Sequence, residues 1–107
     1  MLRGEVWLTR FDSATGGEIQ KTRPAVIISN DYANAMLNRV QIVPTSSRIA
    51  KIHPSEAMIS VGGQPSKAIA DQMTTADKRR LLRRLGRLTL DEMTSVDRAI
   101  KTQLGLR

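Results

Sequence analysis

The apolar residues form short clusters of strand length over most of the chain and fall at helical spacing only near its end. The organising stretch is Lys21-Thr22-Arg23-Pro24-Ala25-Val26-Ile27-Ile28-Ser29, in which Ala25 to Ile28 make a continuous apolar run suited to a strand covered on both faces. Pro24 fixes its own φ and drives Arg23 towards extended backbone, so the run predicts a central strand with a restrained guanidinium at its mouth. Upstream, Gly4-Glu5-Val6-Trp7-Leu8-Thr9-Arg10-Phe11 alternates apart from Leu8 and predicts a first strand with Val6 and Trp7 buried. Between the two lies a polar stretch, Asp12 to Glu18, with the pair Gly16-Gly17. It reads either as a hairpin connection or as a loop able to close over a ligand beside Arg23.

Beyond the central run, Asn30 or Asp31 can cap a brief helix through Leu37. Val40 to Val43 predicts a strand stopped by Pro44, with the hydroxyls of Thr45, Ser46 and Ser47 just past it. Arg48 to Ser55 is a polar link. Glu56 to Val61 and Ser66 to Met73 predict two further strands around the turn Gly62-Gly63-Gln64-Pro65. After Asp77, Leu81, Leu82, Leu85 and Leu88 fall at three- and four-residue spacing and predict a basic helix. Thr89-Leu90-Asp91-Glu92 fits a capping box, followed by an apolar stripe of Leu90, Met93, Val96, Ile100 and Leu104 and a stop at Gly105. Strands followed by a terminal helix, with no repeat or linker, predict one domain over residues 1–107, a small curled β-sheet or barrel with helices attached.

Composition narrows the function. A chain of 107 residues supports a single modest core. The absence of cysteine excludes disulfides and thiolate metal sites, and with no signal-peptide region or membrane-length apolar stretch the reading is a soluble, cytoplasmic protein. Seventeen Lys and Arg against ten Asp and Glu give a net charge of +7, concentrated in Asp77 to Arg87. Such a field attracts polyanions: RNA, DNA or an acidic protein. With Trp7, Phe11 and Tyr32 as the only aromatics, the composition argues against a base-stacking sheet or single-strand groove and favours phosphates as the target of the charge. A basic amphipathic helix at a membrane surface is a further reading of residues 77–88, set against core packing by their leucines.

One histidine and no cysteine leave only scattered carboxylates as metal ligands, and no nucleotide-binding glycine motif or G-x-S-x-G string occurs. The chemistry that remains is a metal-free, cofactor-free reaction on a phosphate. RNA supplies its own nucleophile, the 2′-OH, and needs a base, a partner for the phosphorane charge and a proton for the 5′-oxygen. Arginine suits the charge, and a nearby hydroxyl or carboxylate can position or transfer a proton. Arg23, Thr45-Ser46-Ser47 and Asp71-Gln72 are the three places able to converge on such a site. His53 belongs to a residue type often used as a general base, but it precedes Pro54 in a link with no partner motif.

These residues resemble the MazF/PemK-type toxin family of metal-independent, RNA-cleaving endoribonucleases. The likeness runs through Gly4-Glu5-Val6-Trp7, the Gly-containing loop, Arg23-Pro24-Ala25-Val26-Ile27-Ile28-Ser29, Val43-Pro44-Thr45-Ser46-Ser47, Ala70-Asp71-Gln72, Asp77-Lys78-Arg79-Arg80-Leu81 and the capped helix. The resemblance implies an SH3-like small β-barrel with short helices and a C-terminal α-helix. It further implies a homodimer whose grooves hold single-stranded RNA, and an acidic antitoxin protein whose tail occupies them. By position, Arg23 matches the family's catalytic arginine, which would stabilise the phosphorane and deliver or accept a proton. The family's hydroxyl two residues after the strand-ending proline is usually Thr and is Ser46 here, with Thr45 one place earlier. Asp71 and Gln72 match an Asp-Gln pair near the family's site, and Lys21, Gly17, Glu18 and Ser47 are expected to contact substrate. The implied reaction leaves a 2′,3′-cyclic phosphate and a 5′-OH. A non-catalytic relative that binds only nucleic acid or antitoxin is the alternative. A gyrase poison of the same fold is a poorer match, since that activity uses an apolar end with a Trp and this chain ends Gln103-Leu104-Gly105-Leu106-Arg107.

Overall fold

The computed structural model describes residues 1–11 and 21–107. Its elements in order are β1 (Glu5–Phe11), β2 (Lys21–Ile27), α1 (Asp31–Met36), β3 (Arg39–Ser46), β4 (Glu56–Val61), β5 (Gln64–Ile69), a 3-10 turn (Ala70–Gln72), β6 (Thr74–Asp77), a second 3-10 turn (Lys78–Arg80), β7 (Leu81–Arg87) and α2 (Leu90–Leu104). All seven strands belong to one antiparallel sheet in the order β4-β5-β3-β2-β1-β7, and β6 pairs with β3 off that path. The curled β-sheet with attached helices agrees with the expectation from the sequence.

The central run is buried on both faces, as its unbroken apolar pattern requires. Val26 joins Val6, Val43, Ala57 and Ile59 on the face covered by α2, while Ala25 and Ile27 join Val40, Ile42 and Leu81 on the other. Ala25, Val26 and Ile27 retain no exposed surface. Trp7 is half-buried against the second cluster, and its Nε1 donates to Glu5 Oε1 at 3.0 Å. Asn30 is the cap of α1, accepting from the Ala33 N–H at 2.8 Å. The capping box of α2 is complete: Thr89 Oγ1 accepts from the Glu92 N–H at 3.1 Å, and Glu92 Oε1 from the Thr89 N–H at 2.9 Å. Glu92 Oε2 also accepts from the Ser60 N–H at 2.6 Å, which ties the helix start to β4.

Four expectations are corrected. The segment after Asp77 is no helix but a 3-10 turn and β7, the edge strand against β1, so the membrane-helix reading has no helix to rest on. The register of β1 with β7 passes from Thr9–Leu81 to Leu8–Arg83 and from Trp7–Arg84 to Val6–Gly86, so Leu82 and Leu85 are extra residues on β7. Two bulges three residues apart break the period of two and imitate helical spacing. Second, β3 runs through Pro44, because the strand changes partner there: Pro44 pairs with Ala25 of β2, whereas Thr45 and Ser46 pair with Ala68 and Lys67 of β5. Third, the α2 stripe is shorter than its apolar pattern. Met93, Val96 and Ala99 are buried, but Leu90 at 88% and Leu104 at 54% exposure overhang the sheet. Fourth, the strand expected to reach Met73 ends at Ile69 and passes into the 3-10 turn.

Candidate active site

Where β3 leaves β2, an open groove of about 630 Å³ forms. Lys21, Arg23 and Arg48 bring positive charge to it, and Thr22, Thr45, Ser46, Ser47 and Ser66 bring hydroxyls, with Val61 and Gln64 completing the far wall. No described carboxylate lines it. The β2–β3 ladder stops at Ala25–Pro44, and continuing its register by two residues sets Arg23 opposite Ser46. Directly opposed residues of an antiparallel pair project from the same face. By this register Arg23 and Ser46 project from one face of the sheet, both lining the groove, and among the described residues no carboxylate forms a salt bridge to Arg23.

The two candidate hydroxyls have different duties. Thr45 is 3% exposed and its Oγ1 donates to the Pro24 carbonyl at 2.8 Å. Ser46 is half-exposed, and its Oγ accepts from the Arg48 N–H at 3.1 Å, an arrangement that leaves the hydroxyl proton able to meet a ligand. Thr45 braces β3 against β2 where the ladder ends. Ser46 presents its oxygen to the groove.

The link after Ser47 is pinned from below. Glu56, 7% exposed, accepts through Oε1 from the His53 N–H at 2.8 Å and from Lys67 Nζ at 3.1 Å. Lys67 Nζ also donates to the Lys51 carbonyl at 3.0 Å, and Arg98 of α2 donates to the carbonyls of Pro54 and Glu56 at 2.8 and 2.7 Å. Burial pushes the Glu56 carboxyl up, but the His53 N–H and the Lys67 ammonium outweigh it and leave the carboxyl below its usual value. Glu5 behaves alike: burial raises it, while hydrogen bonds from Trp7 and the Leu2 N–H and the nearby N-terminus and Arg84 hold it low. Arg84 Nε stands 3.3 Å from Glu5 Oε2. At the start of the basic segment, hydrogen bonds from the Arg79 side chain and N–H hold the Asp77 carboxyl low.

Of the residues singled out in the sequence, Lys21, Arg23, Thr45, Ser46 and Ser47 meet in this groove. Asp71 and Gln72 are exposed on the 3-10 turn and do not line it, nor does His53. Gly17 and Glu18 lie outside the described residues, as does the rest of residues 12–20. Sequence reasoning missed Arg48, Val61, Gln64 and Ser66 as lining residues. The Gly62-Gly63 turn was visible, but nothing local says that the hairpin it makes stands over Arg23.

A curled antiparallel sheet covered on one face by α2, with a cationic, hydroxyl-lined groove at the point where a central strand changes partner, defines a small half-barrel β protein. The chain belongs to the PemK-like, MazF-like toxin family of type II toxin–antitoxin systems, whose model matches residues 2–104. It is 40% identical over 115 aligned residues to the endoribonuclease MazF9 of Mycobacterium tuberculosis, covering 99% of this chain and 98% of that protein. Among solved structures, it resembles an endoribonuclease in complex with its cognate antitoxin from a mycobacterial species, with TM-score 0.82, 28% identity, and coverage of 100% of this chain and 97% of that one. A MazE–MazF complex (Form-II) from Deinococcus radiodurans shares the fold with TM-score 0.84 at 24% identity, over 100% of this chain and 97% of that chain.

Proposed function

We propose that this chain is the toxin of a type II toxin–antitoxin pair and cuts single-stranded RNA without a metal, leaving a 2′,3′-cyclic phosphate and a 5′-OH. The observation that carries the reading is the placement of Arg23 opposite Ser46 in a groove lined by cations and hydroxyls. A guanidinium presents a fork of donors, so Arg23 suits the non-bridging oxygens of the phosphorane. Charge stabilisation of this kind is commonly the largest single contribution to phosphate chemistry. As the 2′-oxygen bonds to phosphorus it gives up its proton, and the bond to the 5′-oxygen breaks. Arg23 delivers or accepts the proton in that exchange, which ends with a proton on the 5′-oxygen. Ser46 donates its hydroxyl proton to the same phosphate and fixes it for in-line attack by the 2′-OH, while Lys21 and Arg48 hold neighbouring phosphates. Family membership and the endoribonuclease relative support the activity. The net charge of +7 suits both RNA and an acidic antitoxin competing for one groove. We place the working form as a homodimer in the cytoplasm.

The test is incubation of pure protein with a mixed RNA in excess EDTA, followed by end-group analysis. Cleavage to cyclic-phosphate ends, lost on the order of 100-fold or more in Arg23→Ala, is expected. Absence of cleavage at any protein concentration, or an Arg23→Ala protein that cuts as well as the wild type, overturns the reading.

A further inference from the structure

The walls of the groove differ in a way that the cleavage chemistry does not require. Lys21 and Arg23 stand on β2 and Arg48 on the exit from β3, so all of its described cations lie on that side. The opposite wall is the β4–β5 hairpin, which contributes Val61, Gln64 and Ser66 and no charge. Gly62 and Gly63 have φ of +57° and +81°, the signs that a two-residue hairpin turn of the tightest kind needs. Such a turn makes Val61 and Gln64 direct cross-strand partners, and Ser66 lies two residues further on. The three side chains therefore share one face, that of Thr45 and Ala68, while Ser46 pairs with Lys67 on the other. Val61 rests on the core and Ser66 is buried. Gln64 is the exposed one of the three, lining the same groove as Arg23 and Ser46 where the strands part.

A phosphate gains little from a neutral amide and an apolar methyl pair, but a nucleobase gains from both. Its ring can lie against Val61, and its edge offers a donor and an acceptor side by side. A primary amide answers that pattern with one acceptor and two donors. Single-stranded RNA is read on such edges once its bases are splayed from the backbone. We infer that Gln64, held by the Gly62-Gly63 turn beside Val61, is a specificity-determining residue that reads the edge of one base next to the phosphate held at Arg23. The inference rests on the reading that the groove takes single-stranded RNA.

The experiment uses full-length wild type, Gln64→Ala and Gln64→Glu on a randomised RNA pool, with two readouts. One sequences the ends that cleavage produces. The other sequences the RNA retained by the same proteins carrying Arg23→Ala. At one nucleotide position Gln64→Ala should flatten the base preference on the order of 10-fold, the discrimination that a paired hydrogen-bond contact supplies. Gln64→Glu should turn the preference at that position towards guanine, whose Watson–Crick edge offers two adjacent donors to a carboxylate. A change of preference, rather than a uniform loss of rate, is what a merely structural role would not produce. Identical base preferences in all three proteins, or retained RNA with no preference in any, overturn the inference. If the wild type cuts nothing while the retained RNA still shifts with Gln64, the nuclease reading fails and base reading stands.

Discussion

Replacing Thr45 by valine and Ser46 by alanine perturbs two adjacent hydroxyls with opposite consequences. Valine keeps the shape of the buried Thr45 but removes the donor to the Pro24 carbonyl, which leaves a part-buried acceptor without its 2.8 Å partner. An acceptor stranded in this way costs about 1–2 kcal/mol. For a chain of this size that lowers the melting temperature by about 4–8 °C. Ser46 is half-exposed and its only described hydrogen bond is with the Arg48 N–H, so alanine there should change stability by less than about 0.5 kcal/mol. Its loss should fall on the reaction instead, on the order of 100-fold in cleavage rate, as when one donor to a developing oxyanion is removed. Thermal melts and cleavage of a labelled RNA in EDTA, run on the same preparations well below both melting temperatures, separate the two. A Thr45→Val protein that is folded but inactive, beside a Ser46→Ala protein that cuts at the wild-type rate, would refute the assignment.

The buried pair under the link gives a second expectation. Lys67→Met leaves Glu56 charged and unpaired and should cost about 3 kcal/mol, the lower end for a broken buried pair because both side chains keep a little exposure. Adding Glu56→Gln should recover most of it in urea melts, since glutamine still accepts from His53 without a buried charge. Because folded Glu56 holds its proton less tightly than the unfolded chain does, the unfolded state binds more protons in acid. The pair's contribution is therefore present above about pH 4.5 and lost as pH falls through the lowered folded value, so Glu56→Gln should flatten the acid limb of the stability curve. At the helix start, Thr89→Ala should cost about 1 kcal/mol, and Glu92→Ala more, because Glu92 also accepts from the Ser60 N–H. Equal losses in denaturant melts would contradict the tie between α2 and β4.

What the sequence made legible were features whose cause is local. The β-branched run after Pro24 and the capping box at Thr89 each follow from a few neighbouring residues, and both stand where the pattern puts them. The segment 81–87 misled because its cause lies in another strand: bulges at Leu82 and Leu85 exist only in relation to β1. The site divides along the same line. Arg23 and Ser46 could be singled out by type and position, but their meeting depends on the β2–β3 register. Val61, Gln64 and Ser66 enter the groove through the pairing of β5 with β3, which no local spacing encodes.

The register also explains why the groove opens at this place. One pair beyond Ala25–Pro44, the ladder would have to use Pro24, which has no N–H to give. The Thr45 side chain meets the Pro24 carbonyl there, and the backbone of Thr45 pairs on its other edge with Ala68. β3 is thus held to β2 by a hydroxyl at the point where it begins to follow β5. The next position along is Arg23 opposite Ser46, still on a shared face but no longer joined by the β2–β3 ladder. On the proposed function, a phosphate entering between them would meet a guanidinium and a hydroxyl in positions set by two proline-bearing strands, so the residues that end the ladder would also aim the chemistry.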